Sequence, residues 1–428
     1  MARNMSFVRT EQLPQQPPPA SQAGVVKWAR ENLFNGVTGS ILTLLSLLAI
    51  YYILAGALPW ILNGIWEANS IRDCREILDG ARGACFAVLS ERWAQLVFGL
   101  AYPPEGYWRP TLAFVLLFAA AAPVLFFNLP RVLLYFTGVY PFLAFWLIWG
   151  GTIWSPIFTL LGFVLAFAIY SRLVATSFMG AVGAGILGAA VTWVVGGYIT
   201  DIIAPAEPLL EAVPSRDMGG FMLNMILGTI CVSLSLPIGI ALALGRQSSM
   251  PFIKWVCVIF IEFVRGVPLI TLLFVANVIL AYFFPPGSNL DLILRVIIMI
   301  TMFSAAYIAE VIRGGLAALP RGQYEAADSL GLDYAQAMQL IILPQALKIS
   351  IPGIVNVAVG LFKDTTLVSV ISMFDLVGMI RGPILAATEW NGVYWELWLF
   401  AALLFFVICY GISQYSQWLE RQLATDHR

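Results

Sequence analysis

Lys363 and Asp364 stand inside a long apolar segment, Ile349 to Ile380. A charge at membrane depth is expensive, so this pair needs a reason to be there. Two roles fit it. With Thr365, Thr366 and Ser369 the pair can help line a polar path through the bilayer, offering one charged donor and one charged acceptor. Alternatively it fixes helix packing or contact with a partner chain, because buried ionisable groups mark function only statistically. Pro352, Gly353 and Gly360 on the same segment allow it to bend. A second set of charges follows a helical spacing. Glu262 and Arg265 are three residues apart and can pair on one helix face. Gly266 and Pro268 then interrupt that helix. Glu310 and Arg313 repeat the spacing at the end of another apolar run. Each pair reads either as part of a gate or as an ion pair marking the membrane boundary.

Other chemistries are poorly supplied. The 428 residues hold one histidine, His427, which nearly excludes histidine catalysis and histidine metal sites. No G-x-x-x-x-G-K-[ST] loop occurs, so the chain has no nucleotide-hydrolysing site of that type. A net charge of −1 argues against nucleic acid as a partner. Hydrophobic residues make up 60% and charged residues 11%, so the bilayer must act as solvent for most of the chain. An intramembrane enzyme would lack a credible catalytic set. Of the five cysteines, Cys231, Cys257 and Cys409 fall in apolar runs, where packing explains them.

The elements that position these residues follow from hydropathy. Residues 1–23 are rich in proline and glutamine and read as a flexible tail, extended to residue 36 as a cytoplasmic segment. Arg3, Arg9, Lys27 and Arg30 precede the first apolar run, Val37 to Asn63, which favours a cytoplasmic start. Gly64 to Pro110 is then an exterior loop edged by Trp66, Trp93, Tyr107 and Trp108. Cys74 and Cys85 lie within it, either bridged in an oxidising space or free in a short amphipathic helix. Its five arginines sit awkwardly with the positive-inside rule, which long loops and compensating acids weaken. Further spans are expected over Thr111–Phe127, Val132–Gly150, Ile157–Tyr170 and Ala175–Ile199. In the last of these, Gly180, Gly183, Gly185, Gly188, Gly196 and Gly197 permit close helix contact. Asp201 to Arg216 reads as an outer loop. The second half supplies Gly220–Leu244, an interfacial stretch from Phe252 leading into Pro268–Phe284, then Asp291–Arg313, Ile349–Ile380 and Trp395–Gln417. About ten crossings leave both ends on one side. The chain therefore reads as an all-α polytopic membrane protein, divided at 1–36, 37–216 and 217–428.

Between two spans lies a hydrophilic stretch, Arg321 to Ala346. Gly322 to Leu330 favours a helix, Gly331 stands where a left-handed cap would end it, and Asp333 with Gln336 forms a capping box for a second helix. That helix places Ala335, Met338, Ile341 and Ile342 on one side and should end near Pro344. Helix, elbow and helix make a compact knob.

Glu325-Ala326-Ala327, Gly331, Ile341 and Leu343-Pro344 resemble the EAA loop of permease subunits of ABC importers. The resemblance implies that residues 321–346 are cytoplasmic coupling helices seated in a groove of an ATPase subunit. Glu325 would pair there, Ala326 and Ala327 would permit close docking, and Gly331 would set the elbow. EFVRGVPLITLLF (Glu262 to Phe274), YIAEVIRGGLAALPRGQYEAADSLGL (Tyr307 to Leu332), ILPQALKISIPGIVN (Ile342 to Asn356) and GLFKDTTLVSVISMFDLVG (Gly360 to Gly378) are similar to the polar amino-acid branch. The CREI and ERW stretches in the first half resemble the larger permeases of general L-amino-acid systems, including those for glutamate, glutamine, aspartate and asparagine. Met338 stands where many members have phenylalanine. The resemblance implies a type I permease core over 217–428 in a bacterial inner membrane. It implies a second homologous permease, an ATP-binding subunit dimer carrying ATP and Mg, and a periplasmic amino-acid-binding protein as partners. Lipid is the remaining neighbour. An ion-gradient-driven secondary transporter is the alternative, and it would show matched repeats of interrupted helices. None is visible between the two halves.

Overall fold

The computed structural model describes residues 24–174, 177–203, 209–279, 282 and 291–423. The expectations placed on residues 1–23, on His427 and on the far end of the Pro268–Phe284 segment lie outside them. The chain divides into two compact units.

The first unit runs to Trp66 and adds Arg72–Phe86. Its α1 (Gly24–Asn32) corrects the expectation of a flexible segment as far as residue 36. The sequence GVVKWAREN has no breaker after Gly24, and Lys27 and Glu31 pair one turn apart at 3.8 Å. Helix α2 (Gly36–Leu62) is the first span, and none of its residues is buried. Past it, α3 (Ile71–Leu78) is joined to the strand-like return by a Cys74–Cys85 disulfide with Cα atoms 5.8 Å apart. The return is stitched by Ile65 N–H to Ala84 O and Ala84 N–H to Trp60 O, both 2.8 Å, and Trp66 stacks on Phe86 at 4.9 Å. The loop expected over 64–110 thus contains folded structure.

The second unit is Glu67–Ile71 and everything from Ala87. It begins with α4 (Ala87–Phe98), α5 (Trp108–Leu125), α6 (Leu133–Trp149), α7 (Trp154–Leu173) and α8 (Phe178–Ile203). The glycines of α8 divide. A Cβ on Gly185 would lie 3.0 Å from Ala166 O, one on Gly188 2.5 Å from Ile169 Cδ1 and one on Gly196 2.5 Å from Phe158 Cβ, so these three face α7 at close range, whereas Gly183 and Gly197 have nothing within 4 Å. Next come α9 (Gly220–Arg246), α10 (Pro251–Gly266), α11 (Leu269–Phe274), α12 (Leu292–Ala317), α13 (Arg321–Ser329), α14 (Tyr334–Ala337), α15 (Leu343–Asp364), α16 (Leu376–Met379) and α17 (Tyr394–Leu423). Among the described residues, eight helices are long and apolar enough to cross a membrane. The α10–α11 pair is apolar enough only when taken together across its bend, as a broken span or a re-entrant loop, and α6 is a shorter apolar helix of 17 residues.

One hydrophobic cluster runs through residue 217. Phe98, Tyr102, Ala113, Leu147 and Ile148 pack in the same buried group as Met222, Leu227, Leu273, Ile300, Leu361 and Val368. Polar contacts reinforce the seam. Buried Arg109 donates from Nε to Leu147 O (2.8 Å) and from Nη1 to Glu211 O (2.9 Å), and the Tyr102 hydroxyl donates to Ile148 O (3.0 Å). Leu147 O and Ile148 O lie in the C-terminal turn of α6, where a cation is favoured, and Glu211 O lies in the segment leading to α9. At the other end of α5, the Tyr415 hydroxyl donates to Leu125 O at 2.6 Å. A Cβ on Gly99 would lie 2.6 Å from Gly219 Cα, so the chain after α4 touches the start of α9 backbone to backbone.

Helix α10 packs one face on α12, Ile261 with Ile308, Ala309 and Ile312 and Val264 with Ala306, while Phe252, Trp255, Val256, Ile259 and Phe263 stay exposed. Two details differ from the sequence expectations. The second knob helix does not end at Pro344. A π turn over Met338–Ile342 precedes the proline and leads straight into α15, since the wider turn absorbs the hydrogen bond proline cannot donate. That turn also shifts the face: Ala335 is exposed, whereas Ala337, Met338, Ile342 and Ala346 are buried. Finally, Lys363 and Asp364 close α15 instead of sitting mid-helix, and a 3₁₀ turn, Thr365–Ile371, follows.

Candidate functional site

The knob is built from local rules. Leu332 N–H reaches back to Ala327 O (3.3 Å) and Gly331 N–H to Asp328 O (3.0 Å), while Gly331 takes φ +68°. Nothing lies within 4 Å of the position a Cβ would take there, so backbone conformation alone selects glycine. Asp333 Oδ1 accepts from Gln336 N–H at 2.8 Å and Gln336 Oε1 accepts from Asp333 N–H at 3.2 Å, a complete capping box. Gln345 then ties the two arms together, donating to Gln323 Oε1 and to Ile341 O, both at 3.0 Å. Met338, Ile342 and Ala346 fasten the knob to Ile312, Leu316 and Leu319 at the end of α12.

Its free surface carries Glu325 and Ala326, with Leu330, Tyr334 and Leu340 at 73%, 63% and 66% exposure. Exposed apolar side chains on a hydrophilic element mark a contact surface. Ala327 differs from the expectation. Its side chain is fully buried within the chain and so is not presented to a partner. Leu343 is half-buried and Pro344 exposed, and both line an open groove with Leu244, Tyr334, Met338 and Leu347.

The two expected charge pairs prove to be one network. Glu310 Oε2 lies 3.2 Å from Arg246 Nη1 and 3.5 Å from Arg265 Nη1, and its Oε1 accepts from Arg313 Nε at 2.9 Å. Glu262 Oε1 sits 3.0 Å from Arg246, and its Oε2 is 4.0 Å from Arg265. Three guanidinium groups therefore share two carboxylates across α9, α10 and α12. Beside the network, Gly266 and Pro268 break the α10–α11 span with a bend of 104°. The sequence reading missed Arg246, because its partners lie 16 and 64 positions away and no helical spacing announces them.

The opposite end of α15 holds a second polar group. Asn224 Nδ2 donates to Thr365 Oγ1 (2.9 Å) and to Asp375 Oδ2 (3.1 Å), while Asn224 Oδ1 accepts from Leu376 N–H (3.1 Å). All three side chains are fully buried. Burial pushes the Asp375 carboxyl up to about 6, against the pull of bonds from Gly378 N–H and Asn224. Thr365 thus belongs to a packing node. The Thr366 and Ser369 hydroxyls turn back to Lys363 O (2.8 Å) and Thr366 O (2.9 Å). Lys363 is exposed and Asp364 half-buried. Asn224 was detectable as a lone amide within an apolar span.

The polar knob thus joins two long apolar helices, α12 and α15, at one end of the bundle. Residues 235–425 match the family model described as binding-protein-dependent transport system inner membrane component. The chain is 52% identical over 431 residues to the glutamate/glutamine/aspartate/asparagine transport system permease protein BztC of Rhodobacter capsulatus, covering 99% of both chains. It is 35% identical to the inner membrane amino-acid ABC transporter permease protein YhdY of Escherichia coli, covering 96% of both. The probable glutamine ABC transporter permease protein GlnM of Bacillus subtilis is 33% identical, over 50% of this chain but 95% of its own. The chain therefore belongs to the ABC permease family of binding-protein-dependent importers. This removes the ion-gradient alternative.

Proposed function

We propose that this chain is one membrane subunit of an importer that carries polar L-amino acids of the glutamate, glutamine, aspartate and asparagine group across a bacterial inner membrane. The observation that carries this reading is the 52% identity, over essentially the whole length, to a permease named for those four amino acids. A second permease, an ATP-binding subunit dimer holding ATP and Mg, and a periplasmic amino-acid-binding protein complete the assembly. Both termini and the knob face the cytoplasm.

Movement of the ATP-binding subunits acts first on Glu325, Ala326, Leu330, Tyr334 and Leu340. Because Gln345 and the Met338–Ile342 turn bind the knob to α12 and α15, a tilt is delivered directly to those helices. The shared Glu310 joins α12 to α9 and α10, so the same tilt reaches the break at Gly266–Pro268. Alternating access then proceeds as rigid-body motion of packed helices. The test is co-purification of the chain, identification of bound subunits, and uptake of a radiolabelled amino-acid panel in membranes with and without ATP. Uptake that persists without ATP, or an assembly lacking an ATPase, would overturn it.

A further inference from the structure

Arg265 has an unusual set of neighbours for a guanidinium inside a helical bundle. Its five N–H donors make no hydrogen bond of normal geometry among the described residues. Its nearest acceptors are Glu310 Oε2 at 3.5 Å and Glu262 Oε2 at 4.0 Å, both from Nη1, and its Nε is enclosed with no partner at all. The contrast with the other two arginines is direct. Arg246 holds its carboxylates at 3.0 and 3.2 Å, and Arg313 makes a two-donor contact with Glu310. Two carboxylates divided among three guanidinium groups leave one positive charge over, and the distances show that Arg265 carries it. The group is nevertheless held in place. Its Cζ lies 5.6 Å from the centroid of the Tyr307 ring, a cation–π seat that orients the planar fork without using any donor. The side chain keeps 31% of its surface open, so a small ligand can approach it.

A planar fork with spare donors, fixed by an aromatic face and lacking a full acceptor, matches a carboxylate in two-point contact. We propose that Arg265 is a binding residue for the carboxylate of the transported amino acid as it passes the break between α10 and α11. This rests on the amino-acid reading above and adds to it a specific contact. The arriving carboxylate takes the place of the two long contacts to Glu262 and Glu310, whose other oxygens stay with Arg246 and Arg313. The substrate thereby replaces a weak internal pairing instead of breaking a strong one, and its carboxylate offsets the cluster's surplus positive charge while it is bound. Release follows when motion of α12 brings Glu310 back towards Arg265.

The experiment uses the complete purified transporter, without its binding protein, in detergent. Equilibrium binding of radiolabelled L-glutamine is measured, with unlabelled L-glutamine, L-glutaminamide (which has no carboxylate) and inorganic phosphate as competitors. The wild-type complex should bind glutamine and discriminate against the amide. Arg265→Gln should weaken glutamine binding roughly 10- to 100-fold, the range for losing a charge-assisted contact, and leave amide binding unchanged. Arg265→Lys should lose less, because it keeps the charge but not the fork. Equal competition by glutaminamide on the unaltered complex would overturn the inference without any variant having to fold. An equal loss for both ligands in Arg265→Gln would also overturn it, as would no loss. Phosphate competing as well as glutamine would assign the site to a free or lipid phosphate instead. A wild-type complex that shows no ATP-dependent amino-acid uptake would instead refute the underlying reading, which separates the two failures.

Discussion

Gly331 offers the sharpest test of the lever. Its φ of +68° is a left-handed conformation, and the space around its missing Cβ is empty, so substitutions there act through backbone strain and not through collision. Alanine in that conformation costs about 1 kcal/mol, and asparagine less, because its short amide tolerates the region. A cost of about 1 kcal/mol lowers the population of the correct elbow by about fivefold. Proline is different in kind. Its ring holds φ near −65°, far from the +68° observed, and it removes the donor that now reaches Asp328 O at 3.0 Å. The two arms of the knob could not keep their angle. We therefore expect uptake close to normal for Gly331→Asn, reduced a few-fold for Gly331→Ala and absent for Gly331→Pro, with all three chains present in the membrane at normal amounts. The assay pairs uptake with substrate-stimulated ATP hydrolysis by the assembled complex. Proline at 331 with both activities intact would refute coupling through this elbow, as would an alanine variant as defective as the proline one.

Other positions give separate tests. Glu310→Gln leaves three guanidinium groups facing one carboxylate, and should lower stability by about 2 kcal/mol and raise ATP hydrolysis in the absence of substrate; an unchanged melting temperature in detergent would count against a structural role for the network. Asp375, whose carboxyl titrates near 6 against an ordinary value of 3.8, favours the fold when protonated. Its contribution, about 3 kcal/mol, is complete below pH ~4 and is lost as pH rises through about 6, so thermal stability should fall over that interval and Asp375→Asn should flatten the curve. Removing the Cys74–Cys85 bridge, which closes a loop of 11 positions, should cost about 3 kcal/mol locally and expose residues 64–86 to proteolysis, read by limited digestion of oxidised against reduced protein.

Features set by local rules were legible in the sequence. The elbow at Gly331, the Asp333–Gln336 box and the close contacts of Gly188 and Gly196 each depend on a few neighbouring residues, and each is present. The break at Gly266–Pro268 is likewise announced by residue type. Features that depend on distant residues were not legible. Pro344 ends a helix by local rules, yet here a π turn carries the helix past it, because Met338, Ile342 and Ala346 can then all face α12. Burial of that face outweighs one irregular turn. Ala327, read as a docking residue from its small size, is small for the opposite reason: its own chain covers it.

The first half of the chain shows most clearly what a linear reading leaves out. Hydropathy marks its spans but says nothing of what they touch, and a composition change near residue 217 suggests two separate parts. Packing shows something else. Phe98, Tyr102, Leu147 and Ile148 are buried with residues of α9, α11, α12 and α15, and Gly99 meets Gly219 backbone to backbone. Arg109 spends two donors on carbonyl oxygens of α6 and of the segment leading to α9. These contacts are numerous at the end of the bundle that holds Asn224 and Asp375. Towards the knob, the contact of α5 with α17 is made by Leu125 and Phe126 on Tyr415 and Trp418. Helices fixed at one end and less constrained at the other pivot about the fixed end. Loosening the fixed end with Arg109→Leu should therefore lower uptake even though Arg109 lies far from both the knob and the charge network. If uptake and substrate-stimulated ATP hydrolysis are both unchanged in an Arg109→Leu complex of normal assembly, α4–α6 do not brace the moving helices.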